Sequence, residues 1–412
     1  MTANDRISRV IFEYAAKIAA AQDLDTLLEL DAGMARDLVG ADRCSIWLID
    51  AKNKRLWTKV AHGVHELHVP LGTGLVGSCI DRNEAIVVND TSADPRFNQQ
   101  VDRESGYVTQ SILTLPLHGM DGKAIGALQA LNKPGGFTRD DIDLLGLCSA
   151  YSASTLEAQR LRKEAQAAQL LLQELEIARE VQQHLLPQSF PPIAGLDYAG
   201  YCRSAKFVGG DYYDFLPMPD NALLFTLGDV SGKGIAAAVL MASIQASLRS
   251  HVMGPPESMA RLMGEFNNAV YEFSTADKYS TLFCALLDVG NRKLTYVNAG
   301  QVRPILLRAR DGSIERLDSD GFPIGMLPGS GYDQAEVALE PGDAVLCFSD
   351  GISEATNASG DMWEESEVEK VVRGSHGQTA GQMIASLVGA ADRFTGDAEQ
   401  ADDMTVVAIR AV

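Results

Sequence analysis

The sequence predicts an α+β protein of two domains joined by a helix, and three observations predict it. Up to about residue 158, short apolar strands alternate with turns between two helical patterns. From Arg139 a helical pattern runs without proline as far as Pro187, and from there to residue 412 strands and helices alternate again. At 412 residues the chain exceeds what one hydrophobic core usually serves, so two domains of roughly 150 to 220 residues are expected. The boundaries read as a sensor-like domain over 1–158, a helical coiled-coil linker over 159–187 and a larger domain over 188–412.

The first domain opens with an amphipathic helix carrying Leu24, Leu27, Leu28, Met34 and Leu38 on one face. Strands are predicted at 43–50 (RCSIWLID), 55–61 (RLWTKVA), 85–89 (AIVVN), 111–117 (SILTLPL) and 124–132 (AIGALQALN), with Asp121-Gly122 as the hairpin turn between the last two. His62, His65 and His68 fit neither helical nor strand spacing for a metal site and read as a solvated hairpin. In the linker, Leu161, Ala165, Ala168, Leu172 and Leu175 follow the 4-3 spacing of a coiled-coil seam, which predicts a parallel homodimer. Beyond Leu175 the spacing changes to 3-3-3-4 through Ala178, Val181 and Leu185, whereas a regular heptad would put Arg179 and Gln182 in the interface.

Composition narrows the function. A formal net charge of −20 argues against nucleic acid or an anionic membrane as principal partner, since phosphate binding needs a basic patch. The six cysteines are far apart with no CxxC, so neither zinc nor a disulfide framework is expected, and a reduced, cytoplasmic setting is. The longest apolar run, IAAAVLMASI (235–244), is too short to span a bilayer and reads as a buried helix packed on a sheet.

Four acidic turns mark the third segment: GGDYYDF (209–215), GDVSGKG (228–234), FSDG (348–351) and DDMT (402–405), each read as lying where a strand stops. Any one Asp-Gly turn is ordinary turn chemistry. Four together point to carboxylates gathered at one edge of a sheet, where burying them without cations would cost several kcal/mol. Hard oxygen ligands suit Mg²⁺ or Mn²⁺, and two such ions about 3.5 to 4 Å apart lower the pKa of a shared water for in-line attack on phosphorus. The chain lacks GxSxG, HExxH and a cysteine in a basic phosphate loop, so no covalent nucleophile is indicated. Two lookalikes fail: Tyr212 replaces the essential acid of a GGDEF signature, and GDVSGKG is one residue short of a Walker A loop, with Gly234 in place of Ser or Thr.

The segment 1–158 resembles a GAF domain through IWLID, GTGLVGS (72–78), DTSADPRF (90–97) and LNKPGGFTRDD (131–141). Asn132, Lys133, Phe137 and Asp141 are close to the pattern of cyclic-nucleotide-binding members, with Ile142 where Glu is expected. The resemblance implies a small-molecule, cyclic-nucleotide-like ligand and a motif that braces the pocket. Residues 178–412 resemble the SpoIIE-like branch of the PPM metal-dependent serine/threonine phosphatases, through the acidic turns in order and also QQHLLP (182–187), STLFCALLD (280–288), NAGQVRPILL (298–307) and GFPIGM (321–326).

That second resemblance implies a β-sandwich flanked by helices and two Mn²⁺ or Mg²⁺ ions. It makes Asp229 the shared ligand, assisted by the Val230 carbonyl, with Asp350 and Asp402 completing one site and Asp211 serving the other. Asp214 would sit behind the ligands, and Asp403 stands where relatives often carry Asn. Gln301 replaces a usual His, the histidine of type 2C relatives is absent at Val230-Ser231-Gly232, and Arg203 is the nearest arginine to the position of a phosphate-binding one. The implied function is a phosphatase acting on a phosphorylated STAS-type anti-sigma-factor antagonist under GAF control. The competing reading is a non-catalytic scaffold that binds a phosphoprotein.

Overall fold

Alternating apolar residues and well-placed turn residues build the sheets. The computed structural model describes residues 3–21, 23–58, 67–99, 102–103, 106–275, 277–318 and 321–412, arranged as two units, Met1–Leu170 and Leu171–Val412. In the first, α1 (Ala3–Ala20) precedes α2 (Leu24–Val39). Asp23 caps α2 by accepting from the Thr26 N–H at 2.8 Å, and Gly40, at φ 68°, ends it in the left-handed region. The strands are β1 (Arg43–Asp50), β2 (Arg55–Thr58), β3 (Leu67–Pro70), β4 (Ile86–Val88), β5 (Ile112–His118) and β6 (Ala124–Leu131), with α3 (Gly74–Arg82) between β3 and β4. They form an antiparallel sheet in the order β3-β2-β1-β6-β5-β4. Gly122, at φ 75°, makes the expected turn between β5 and β6. Residues 59–61 of the second predicted strand, with His62 and His65, lie outside the described residues; His68 lies in β3 opposite Trp57.

The core of this unit packs Leu27, Leu28 and Ala35 of α2 against Ile46, Leu113, Leu117 and Leu128 of the sheet and Leu145 of the long helix α4 (Arg139–Leu185). α4 spans 47 residues and runs from one unit into the other. Leu161 and Leu172 of the anticipated seam are 48% and 51% exposed, while Gln182 is buried. Gln182, which only an unbroken heptad would place in a seam, has its amide committed to the fold of the second unit.

In the second unit two antiparallel sheets stack. One joins β8 (Tyr212–Met218), β9 (Ala222–Val230), β10 (Ser280–Asp288), β11 (Lys293–Ala299) and β14 (Ala335–Ala338), in the order β14-β11-β10-β9-β8. The other joins β7 (Leu196–Arg203), β12 (Ile305–Leu307), β13 (Ile314–Arg316), β15 (Ala344–Phe348) and β16 (Met404–Ala411), in the order β13-β12-β15-β16-β7. Inward residues of both, among them Leu223, Phe225, Phe283, Val345, Val407 and Ile409, share one core. On the outer face of the first sheet lie α5 (Ile235–His251) and α6 (Met259–Phe273); α5 is the apolar helix expected to be buried. α8 (Glu365–Gly374) and α9 (Ala380–Thr395) cover the second sheet, and the one-turn α7 (Asp350–Ser353) follows β15. No described helix is long and apolar enough to cross a membrane.

One buried charge is built into the first core. Asp31 of α2 is fully buried and accepts from Thr155 Oγ1 of α4 at 3.2 Å, and burial pushes its carboxyl up to about 6 despite that hydrogen bond. Because the folded value lies above the unfolded one, the folded state binds this proton more tightly, and stability is lost as pH rises from about 4 to about 6. Asp31→Asn should remove that loss, making the unit about 1 to 3 kcal/mol more stable than wild type at pH 7.5 but not at pH 4. Urea unfolding followed by tryptophan fluorescence at the two pH values checks this; equal differences at both would contradict it.

Candidate metal centre

Antiparallel pairing brings the start of one strand beside the end of the next, and the acidic turns use this. Asp229 lies at the end of β9 and Asp350 just after β15, as expected, but Asp211 and Asp402 immediately precede β8 and β16. The expectation that all four turns follow strand ends is thus corrected. Tyr212 pairs with Gly228, which places Asp211 next to Asp229. Phe348 pairs with Val406 and the Ser349 N–H donates to the Thr405 carbonyl at 3.0 Å, which places Asp350 next to Asp402 and Asp403. Asp403 ties the two sheets together: its Oδ2 accepts from the Gly210 N–H and its Oδ1 from the Ala205 N–H, both at 2.7 Å. Gly209 is required here, since a Cβ on it would lie 2.1 Å from Asp403 Oδ2.

The carboxylates repel one another. Burial, then Asp229 and Asp403, hold the Asp211 carboxyl well above its ordinary range. Burial, then Asp350, Asp402 and Asp403, raise that of Asp229 to about 7; burial, then Asp402 and Glu354, raise that of Asp350. Asp211 is 4% exposed, and its Oδ2 is buried with no hydrogen-bond partner. An orphaned carboxylate oxygen within a group of mutually repelling carboxylates fits a divalent cation. Among the described residues, no three His, Cys, Asp or Glu side chains already stand at ligand spacing. Two contacts bear on this: Lys233 Nζ pairs with Asp402 Oδ2 at 2.7 Å, and Asp403 is occupied by backbone N–H groups. The Val230 carbonyl lies at the same edge, 2.8 Å from where a Cβ on Gly210 would stand.

Comparison with known proteins identifies the two domains. Residues 219–412 match the family Stage II sporulation protein E (SpoIIE), and residues 23–156 match the GAF domain. The chain joins a GAF domain to a SpoIIE-type phosphatase domain. It is 27% identical over 270 residues to the phosphoserine phosphatase RsbU of Bacillus subtilis, covering 65% of this chain and 78% of that protein. With protein IcfG of Synechocystis it shares 28% identity over 246 residues, covering 53% of this chain but only 38% of IcfG. The SiaA-PP2C domain of Pseudomonas aeruginosa has the same fold, with a TM-score of 0.53 and 20% identity over 59% of this chain and 98% of that one. The SpoIIE match includes Asp229, Asp350 and Asp402; Asp211 precedes it and rests on geometry.

Asp214 is not brought into the SpoIIE-type site. It is fully buried and paired with Arg249 of α5 at 2.7 and 2.8 Å, so it anchors that helix to β8. Arg203 is likewise engaged elsewhere, 2.6 Å from Asp392 of α9. Tyr212 is fully buried against the helices, at odds with a GGDEF reading. Ser280 Oγ donates to the Asp229 carbonyl at 3.0 Å, while the one proton of Thr281 Oγ1 goes to Gln301 Oε1 at 2.7 Å in preference to that carbonyl at 3.3 Å, so Gln301 holds Thr281 beside the Asp229 turn. Sequence reasoning missed Gln182, which grips Gly209 from both sides: its Nε2 donates to the Gly209 carbonyl at 2.7 Å and its Oε1 accepts from the Gly209 N–H at 3.0 Å.

In the GAF domain the Asn-Lys-Phe-Asp motif braces a loop. Asn132 Oδ1 accepts from the Gln110 and Ser111 N–H groups, its Nδ2 donates to Tyr107, and Lys133 pairs with Asp141 at 2.5 Å. None of the four motif residues lines the adjacent cavity, whose walls include Arg43, Trp47, Thr73, Asp102, Tyr107 and Gln129. That cavity is about 100 Å³, below the 300 Å³ or more typical of sites for larger ligands, so a cyclic nucleotide would require it to open.

Crowding of charge makes a stability prediction. Asp229→Asn should raise the melting temperature of metal-free protein, by about 2 to 4 °C per kcal/mol of relieved repulsion, and abolish any further rise on adding Mn²⁺. Differential scanning calorimetry with EDTA and with Mn²⁺ tests both halves; a lower metal-free melting temperature, or an intact Mn²⁺ response, would contradict the arrangement.

Proposed function

We propose that the protein is a serine/threonine protein phosphatase in which Asp211, Asp229, Asp350 and Asp402 hold two Mn²⁺ or Mg²⁺ ions, aided by the Val230 carbonyl. The observation that carries this reading is the convergence of these carboxylates at one edge of the sandwich with a buried, unpartnered Asp211 oxygen. When bound, the ions supply Lewis-acid activation of water for in-line attack on phosphorus. The chain's own part is positional. Asp403 fixes the Gly210–Asp211 turn, and the Ser280 hydroxyl fixes the Asp229 backbone. Cysteine nucleophiles are disfavoured, because burial pushes the thiols of Cys44, Cys79, Cys148, Cys202, Cys284 and Cys347 upward.

The likeness to RsbU and to the SpoIIE family supports a phosphorylated STAS-type anti-sigma-factor antagonist as substrate, in the cytoplasm. Asp229→Ala and Asp350→Asn should each lower Mn²⁺-dependent hydrolysis of an aryl phosphate and of a phosphorylated STAS protein by about a thousandfold or more while the fold is retained. Turnover that survives either change, or that persists in EDTA, would return the domain to the scaffold reading.

Regulation follows α4. Its exposed Leu161, Leu170, Leu171, Leu172, Ile177 and Val181 suit a homodimeric helical pair, and its last turn is held by Gln182 on Gly209 and by Gln245 of α5, which donates to the Leu185 carbonyl. A ligand in the GAF cavity would act by shifting this helix and with it the Asp211 turn. Gln182→Ala, which removes two buried hydrogen bonds, should weaken Mn²⁺ binding about fivefold or more and change turnover at saturating Mn²⁺ far less. Mn²⁺ titration of activity separates the two effects; unchanged metal dependence would dissociate the helix from the site.

A further inference from the structure

Within the acidic edge one cation is already in place. Lys233 stands between Gly232, at φ 94°, and Gly234, at φ 78°, in the turn that carries the chain from Asp229 into α5. Its Nζ lies 2.7 Å from Asp402 Oδ2 and 2.9 Å from the Ala401 carbonyl, and it also feels the charges of Asp403 and Asp350. Both partners are part-exposed, the side chains being 48% and 39% accessible. An ion pair in that setting is worth about 0 to 1 kcal/mol, so it exchanges readily.

We propose that Lys233 is an internal counter-ion that occupies Asp402 in the metal-free protein and competes with divalent metal for it. The inference rests on the metal site proposed above. It accounts for two features together: the carboxylates converge, yet no three of them stand ready at ligand spacing. An ammonium on a flexible stem neutralises part of the cluster and then yields, because a divalent ion reached by several carboxylates outbids a single half-exposed pair. The yielding has a lasting consequence. After displacement the ammonium remains tethered by the two glycines beside the site, and its repulsion of the metal keeps binding weak and reversible. Lys278, on the other side of the turn with Nζ 3.5 Å from the Ser231 carbonyl, has no contact with Asp402 and does not share the role.

The test is direct Mn²⁺ binding to the full-length chain, read by electron paramagnetic resonance of free Mn²⁺, for wild type, Lys233→Met, Lys233→Gln and Lys233→Arg. Removing a unit charge from beside a divalent ion changes affinity by about tenfold even with water-like screening. Lys233→Met and Lys233→Gln should therefore bind Mn²⁺ about tenfold more tightly than wild type, and Lys233→Arg close to wild type. Without metal, the two neutral variants should melt at or below the wild-type temperature. Binding by both neutral variants within twofold of wild type, or weaker, with folding verified by circular dichroism, overturns the proposal while leaving the metal site standing. If wild type itself binds no Mn²⁺, the metal site falls and the proposal with it.

Discussion

Mutual repulsion among buried and half-buried carboxylates is the constraint around which the larger domain is organised. Asp211, Asp229, Asp350, Asp402 and Asp403 meet at one sandwich edge, and burial together with neighbouring carboxylates makes ionisation of Asp211, Asp229 and Asp350 harder. Left alone such a cluster would weaken the fold, so the surroundings divide the load. Asp403 is satisfied by backbone N–H groups, Asp402 by Lys233, and Asp211 keeps one oxygen with no partner at all. That uneven division is what suits the edge to a divalent cation.

The sandwich supplies rigidity at low cost. Because neighbouring strands run antiparallel, Asp211 and Asp402 at strand starts lie beside Asp229 and Asp350 at strand ends, and a single side chain, Asp403, can then bind the turn of the opposite sheet. The fully buried Phe225, Phe283 and Phe348 hold the strands in place beneath that edge. The last turn of α4 reaches the same edge through Gln182, so the long helix ends on the Gly209 turn beside Asp211.

Much of this was legible in the chain itself. The strand at 43–50, the Asp121-Gly122 hairpin and the buried helix following the Asp229 turn are local, and their periodicity and turn residues point the same way. The acidic residues were legible because each lies beside glycine or a second aspartate in a short motif. Asp214 misled for a local reason too: three positions from Asp211 along an extended chain, it falls on the other face, where Arg249 waits on a helix. α1 escaped notice because its apolar stripe is partly exposed, as Ile11 and Phe12 are. Gln182 and Lys233 carry no periodic signal, since their meaning lies in partners 27 and more than 160 residues away.

Anomalous diffraction from Mn²⁺-soaked crystals of the full-length protein, collected at the manganese edge, is the most direct measurement of the central claim. Two peaks at the sandwich edge are predicted, both bonded to the Asp229 carboxylate, one reached also by Asp350 and Asp402 and the other nearest Asp211. Peaks that leave Asp229 untouched, or no peak at this edge at millimolar Mn²⁺, would contradict it.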